Sequence, residues 1–279
     1  MRSAAAACLA ILAWLAACAG SAPVKPVALT GAITQGGTVF GTAEPSAAVT
    51  LDGRPVRVAP DGRFVFGFGR DAPATAMLEV RHASGIVSRI PLEVARRDYD
   101  IQHVDGLPQN LVTPDPEEEA RIAAEQAKVL QARTLDLNRA LFASGFAWPA
   151  IGPVSGVYGS QRILNGEPRA PHYGVDVAAP EGAPVHAPAD GLVTFAAPDL
   201  LLTGGTVVID HGHGLSSTFI HLSRIDVAPG AEVKQGDVLG AVGATGRATG
   251  PHLHWGMNWF EVRLDPQLVV GPMPDPATQ

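Results

Sequence analysis

Cysteine is nearly missing from this 279-residue chain; the only two, Cys8 and Cys18, fall within its first twenty residues. Beyond them neither a disulfide framework nor a cysteine metal site can form, so stability must come from packing. Charge is also scarce, at 17% of residues with a formal net charge of −7. No basic stripe is available to neutralise phosphates, which excludes nucleic acid as a partner. After residue 17 no apolar run is long enough to span a bilayer as a helix. Glycine (31) and proline (24) are plentiful and separate short runs of Val, Ile, Leu and Phe. That texture belongs to many short strands and tight turns, hence a mainly β protein.

The first residues read as an export signal. Met1-Arg2 precedes an apolar stretch from Ala4 to Ala17, which has the length of a secretory core and is short for a membrane span. Leu15-Ala16-Ala17-Cys18 resembles the lipobox of bacterial lipoproteins, in which the signal is cut before a cysteine that carries lipid. The other reading is an ordinary signal ending near Ala22, with Pro23 a poor neighbour for cleavage. The resemblance implies a signal peptide over 1–17, lipidation at Cys18 and a tether over 18–28. It also implies membrane attachment by the lipid alone. The absence of Asp at position 19 points to the outer membrane and a periplasmic location.

Periodicity divides the rest of the chain. From 29 to 97 apolar residues alternate with period two, as in Phe64-Val65-Phe66-Gly67-Phe68, and Asp52-Gly53 and Asp61-Gly62 supply hairpin turns. This predicts a small β-sandwich of immunoglobulin-like character. A linker and helix are expected over 98–145. Asp115 would cap the helix, Pro116 and Glu117-Glu118 would occupy its first turn, and Ala123, Ala127, Leu130, Leu137 and Leu141 would form its packed face. From 146 to 272 the chain is again rich in strands and glycine, and a tail of 273–279 remains. Seven of the nine histidines lie after Trp148, so chemistry is sought there.

Two short patterns matter most. His172-Tyr173-Gly174-Val175-Asp176 and His252-Leu253-His254 each place donors on one side of an extended backbone. Two imidazoles and a carboxylate suit a tetrahedral zinc ion whose fourth position is open to water. An isolated His-x-His is equally at home as a hydrogen-bonded pair on a strand.

The run Gly243-Ala244-Thr245-Gly246-Arg247-Ala248-Thr249-Gly250-Pro251-His252-Leu253-His254-Trp255, with upstream His172 and Asp176, resembles the lysostaphin-type (LytM-like) zinc endopeptidases. The likeness runs from about Phe146 to Val270. Gly156-Val157-Tyr158-Gly159, Ala187-Pro188-Ala189-Asp190-Gly191, Ile209-Asp210-His211-Gly212, Ile220-His221-Leu222-Ser223 and Val233-Lys234-Gln235-Gly236-Asp237 follow in the family's order.

The resemblance implies an antiparallel β-sheet domain with an open groove. It implies Zn²⁺ held by His172, Asp176 and His254, with His252 as the general base and His221 steering water or stabilising the oxyanion. The implied substrate is the peptide stem of bacterial peptidoglycan, cut at a crosslink by D,D-endopeptidase action.

Other readings of these residues stand beside that one. His186, His211 and His213 read as loop or core histidines, and His221 alone could be a strand histidine bonded to a carbonyl. Gly204-Gly205 and the Gly243 to Gly250 run lack the lysine of a phosphate loop and suit the lining of a groove. Arg162 or Arg247 could pair a substrate carboxylate. A lipoyl or biotinyl carrier would share the Lys234 turn but needs an acceptor lysine in a hairpin. The remaining alternative is a non-catalytic wall-binding or hydrolase-activating protein of the same fold. Oligomeric state cannot be read from the sequence.

Overall fold

The computed structural model describes residues 26–105 and 116–275. The signal, Cys18, most of the tether, the 106–115 linker with the Asp115 cap, and the last four residues lie outside that range. Seven strands come first: β1 (Ala28–Gly31), β2 (Thr38–Thr42), β3 (Ala48–Leu51), β4 (Arg54–Val56), β5 (Arg63–Gly67), β6 (Thr75–Arg81) and β7 (Val87–Glu93). They form two antiparallel sheets, ordered β1-β2-β5 and β4-β3-β6-β7. Asp52 and Gly53 turn β3 into β4 with φ of +49° and +81°, the left-handed pair that Asp-Gly adopts most readily.

Alternation along β5 does not separate core from solvent, because both of its faces are covered. Phe64, Val65 and Phe66 are all fully buried. Phe64 lies over Gly41, where an added Cβ would stand 2.1 Å from the ring. On the other face, Phe40, the register partner of Val65, packs on Phe142 and Phe146 at ring distances of 5.9 and 6.2 Å. Gly67 on that face abuts Leu264. The first unit therefore shares one hydrophobic core with the second, and Arg97 pairs with buried Asp265 across the join at 2.8 Å.

The connector is structured on both sides of its undescribed part. Strand β8 (Ile101–Val104) runs parallel to β10 (Gln161–Leu164), which pairs with β11 (Glu167–Pro168). Helix α1 (Pro116–Ala132) begins with Glu117, Glu118 and Glu119, which suit the positive end of its dipole. The expected packing face is corrected. Ala123 and Ala127 are exposed and Leu130 is 53% exposed, while the inward stripe is Ile122, Glu125, Val129 and Arg133. The surface under α1 is polar: Glu125 accepts from Leu201 N at 2.8 Å, Arg121 donates to Asp199 O at 3.0 Å, and Arg133 donates to Thr218 Oγ1. Hydrophobic periodicity thus pointed to the wrong side, and Leu137 and Leu141 lie past the helix end.

The second unit is built on an eight-stranded antiparallel sheet. Its strands are β9 (Val154–Gly156), β12 (Val175–Ala178), β14 (Gly191–Leu200), β15 (Gly204–Gly212), β16 (Leu215–Leu222), β18 (Glu232–Val233), β20 (His252–Trp259) and β21 (Val262–Leu264). Their order is β18-β14-β15-β16-β20-β12-β9, with β21 on β20. A small sheet, β13 (Pro184–His186), β19 (Val238–Ala241) and β17 (Arg224–Ile225), packs beside it. One face of the large sheet is apolar: Leu253, Trp255, Met257 and Trp259 of β20 lie beside Leu215 and Phe219 of β16, all buried. The opposite face carries His254, Gly256 and Asn258 against Ile220, Thr218 and Ser216. The shared turn motifs are structural, since Asp190 accepts from Lys234 Nζ at 2.8 Å and Gln235 N at 3.0 Å.

His211 is a core residue. Nδ1 bonds Asp190 O at 2.8 Å, Nε2 lies 2.9 Å from Ser217 Oγ, and the ring edge meets Phe146. Burial holds its pKa down to about 4 from the ordinary 6.5. Between those values the unfolded chain takes up a proton that the folded chain refuses, so stability is full above pH 6.5 and declines as pH falls toward 4. Neighbouring Asp210, pushed up to about 6 by burial, acts in the opposite sense from 3.8 to 6. Replacing His211 by Asn removes the first contribution, about 3 kcal/mol, and leaves the second. The slope of the denaturation midpoint against pH, measured from pH 4 to 6.5, should therefore be less positive in the variant than in the wild type, and an unchanged slope would contradict this account.

Candidate metal centre

Pairing of β12 with β20 sets Asp176 directly opposite His254 and Ala178 opposite His252. Side chains alternate along a strand, so His252 and His254 emerge on the same face as Asp176. His172, on the approach to β12, completes the group. Its Nε2 lies 3.0 Å from Asp176 Oδ1 and 2.9 Å from His254 Nδ1, and His254 Nδ1 lies 2.8 Å from the same oxygen. Among the described residues this is the one cluster whose histidine and carboxylate donors converge as a metal requires, all within 4.8 Å of one another.

Two glycines make room for it. A Cβ at Gly156 would fall 2.2 Å from Asp176 Oδ2, and one at Gly174 would fall 2.5 Å from His254 Nε2. Both positions belong to motifs visible in the sequence, although their steric purpose appears only in three dimensions.

The donor set suits a divalent ion. Burial holds His254 down to about 4, so its imidazole is neutral with a lone pair to offer. Burial acts to raise the Asp176 carboxyl, but hydrogen bonds and charge from His172 and His254 outweigh it and keep the group well below the usual carboxylate range. His172 is displaced upward: burial opposes its charge, and the Asp176 contact more than compensates. Its Nδ1 lies 3.0 Å from Val157 O, a partner that fixes the tautomer and turns Nε2 inward.

A second pair of imidazoles stands beside the first. His252 Nε2 is 4.0 Å from Asp176 Oδ1, and the His221 and His252 rings are 4.7 Å apart. In β16 it is Ile220 that pairs with His254, so simple alternation would send His221 into the core. A φ of +66° at His221 breaks the alternation. His221 N donates to Thr203 O, and Nδ1 donates to Thr245 O, both at 2.8 Å. His252 Nδ1 donates to Gly250 O at 2.8 Å. Both rings thus spend Nδ1 on a backbone carbonyl and keep Nε2 as the free nitrogen. Burial lowers the His221 pKa, with the Thr245 carbonyl opposing.

The glycine runs serve this geometry. Gly204, with φ of +58°, lies against Thr245, and Gly246 lies against Gly204 and Leu202. The two loops close on each other and hold Thr203 and Thr245, the partners of His221. The other candidates stand apart from the cluster. His186 bonds Gly236 O, His211 is in the core, and His213 is buried with its edge toward Phe142. Arg162 and Arg247 are exposed.

Comparison with known proteins places this geometry in context. The family model described as Peptidase family M23 matches residues 170–266, which contain all five clustered side chains. DD-carboxypeptidase/endopeptidase Mpg of Neisseria meningitidis is 42% identical over 104 residues, 37% of this chain and 24% of that protein. Peptidoglycan DD-endopeptidase ShyA of Vibrio cholerae is 44% identical over 86 residues, 31% of this chain and 20% of that protein. The matched stretch thus spans about a quarter or less of these curated relatives. A crystal structure from Pseudomonas aeruginosa assigned to peptidase M23 superposes with a TM-score of 0.65 at 33% identity, covering 85% of this chain and 94% of that one. On likeness of that extent, which takes in both units as well as the donor cluster, the chain belongs to peptidase family M23.

Proposed function

We propose that this chain is a zinc-dependent endopeptidase that hydrolyses peptide crosslinks of bacterial peptidoglycan, as a D,D-endopeptidase of the periplasm. The observation that carries the reading is the convergence of His172, Asp176 and His254 at 2.8 to 3.0 Å with a second imidazole pair on the same sheet face. The names of the Neisseria and Vibrio relatives support the substrate class.

His172, Asp176 and His254 would hold the ion. When bound, zinc supplies Lewis acidity toward a carbonyl and toward an attacking water. His252, with Nδ1 committed to Gly250 O, offers Nε2 as the acceptor for the proton of that water. His221, with Nδ1 committed to Thr245 O, presents its other nitrogen beside it as a lone-pair acceptor that steers the water; it would meet negative charge on the carbonyl oxygen only after taking up a second proton, which burial opposes. Carbonyl partners on Nδ1 set the neutral tautomer of both rings, so that Nε2 is the nitrogen with the lone pair before proton transfer. Lipid attached at Cys18 would hold the enzyme at the outer membrane, within reach of the wall.

Zinc content and digestion of purified peptidoglycan test the site together. The wild-type chain should carry about one zinc per chain and release uncrosslinked stems. His172→Ala should lose both ion and activity, whereas His252→Ala should keep the ion and lose about 10²- to 10⁴-fold in rate. A zinc-free, inactive wild type would instead favour a non-catalytic role in the wall. The anchor is tested separately by labelled palmitate, which should enter the wild type in cells and be absent from Cys18→Ser; equal labelling of both would refute it.

A further inference from the structure

Arginines at the surface of this protein, such as Arg89 and Arg224, pair with carboxylates. Two that are withdrawn from water do not. Arg133, at the end of α1, is 8% exposed, and its Nε and Nη2 both donate to one hydroxyl, Thr218 Oγ1, at 3.2 and 3.0 Å. Arg263, on β21, is partly buried; its Cζ lies 5.5 Å from the Tyr173 ring, and its guanidinium has no hydrogen bond among the described residues. Neither forms an ion pair within that range.

Strand register puts both on the metal-bearing face. Thr218, beneath Arg133, pairs with Gly256, and Asn258 pairs with Arg263 on one side and Ser216 on the other. Gly256 and Asn258 are two and four residues beyond His254, about 7 and 13 Å along the strand. Asn258 Oδ1 and Ser216 Oγ are buried there without a partner, at 2% and 3% exposure. The two guanidiniums have no acid beside them, and the Ser216 hydroxyl has a proton to donate, so the site lacks an anion; Asn258 Oδ1, an acceptor, calls for a donor instead. Burial, and next the charge of Arg263, push Arg133 down to about 9, which is the electrostatic signature of that lack.

We infer that Arg133 and Arg263 form a pocket for a carboxylate of the peptide stem, seated on the groove floor one or a few residues from the bond that is cut. Guanidiniums recognise a planar carboxylate through paired N–H donors, and in a dry site such bonds are short and strong. Gly256, buried between the ion site and the two arginines, leaves room for the Tyr173 carbonyl and the His254 ring, since a Cβ there would stand 3.0 Å from Tyr173 O and 3.6 Å from His254 Nε2. The pocket takes the role considered for Arg162 and Arg247, which the sequence offered and the fold leaves at the surface. The inference rests on reading this face as the peptide groove.

The test uses the zinc-loaded full chain carrying His252→Ala, to slow turnover, and calorimetric binding of two probes. One is a crosslinked stem-peptide dimer with free diaminopimelate carboxylates, and the other is the same dimer with those carboxylates amidated. The free acid should bind 10- to 100-fold more tightly. Arg133→Met and Arg263→Met, each added to that background, should erase the preference. They should also leave the thermal midpoint equal or raised, because an unpaired buried charge is removed; a merely structural arginine would lower it. Equal affinity for the two probes, binding of neither, or equal loss of both in the variants would overturn the pocket. Selective binding by a wild-type chain that cuts nothing would keep the pocket and sink the hydrolytic reading, while cleavage of both dimers at equal rates would do the reverse.

Discussion

The register between β12 and β20 is the constraint on which the centre depends. Pairing of Asp176 with His254 brings a carboxylate and an imidazole across one rung of the ladder, and the same alternation delivers His252 two residues earlier. A slip of β12 by one residue would turn Asp176 into the core, away from His252 and His254, and expose Val175 and Val177, which are fully buried. The apolar face therefore fixes the polar one: burial of Leu253, Trp255 and Met257 leaves the histidines only one direction in which to point. Packing supplies a precision that the polar contacts, in a site partly open to water, would not hold by themselves.

The first unit contributes to that precision through its joint with the second. Because β5 is covered on both faces, the small sheet β1-β2-β5 is a middle layer and cannot be removed without exposing Phe142, Phe146 and Leu264. Arg54 reinforces the joint, donating to Glu261 and lying 4.3 Å above the Trp259 ring at the end of β20. The strand that carries two of the site histidines is thereby clamped at the end remote from them.

Part of the centre was legible in the sequence, because period two gives the two histidines of His252-Leu253-His254 a shared direction, whereas their meeting with His172 and Asp176 was implied only by the family resemblance. The mainly β architecture and the Asp-Gly turn at 52–53 were legible for similarly local reasons. What escaped depended on surroundings that sequence does not display. Alternation cannot reveal that β5 has no solvent face. Helical periodicity assigns the apolar stripe to the interior, but α1 lies over Thr218 and the carbonyl of Asp199, so Glu125 and Arg133 turn inward while Leu130 faces water. His221 could be flagged by its flanking residues, yet its turn toward the centre requires a left-handed backbone that no propensity predicts for histidine within a strand.

A sheet face that serves stability alone would be apolar under a covering helix, as the opposite face of this sheet is. Here Ser216, Thr218 and Asn258 are almost wholly buried, two of them with idle polar atoms, and a guanidinium is pressed against them without a counter-charge. Each such group costs roughly 1 to 3 kcal/mol relative to a satisfied one, while a folded domain has only about 5 to 15 kcal/mol in hand. Part of that cost falls on the strands that run away from His254, and the surrounding core of aromatic and branched side chains offsets it. Unmet polar demand held beside a cluster of metal donors lowers stability locally, and packing alone gives no reason to keep it there.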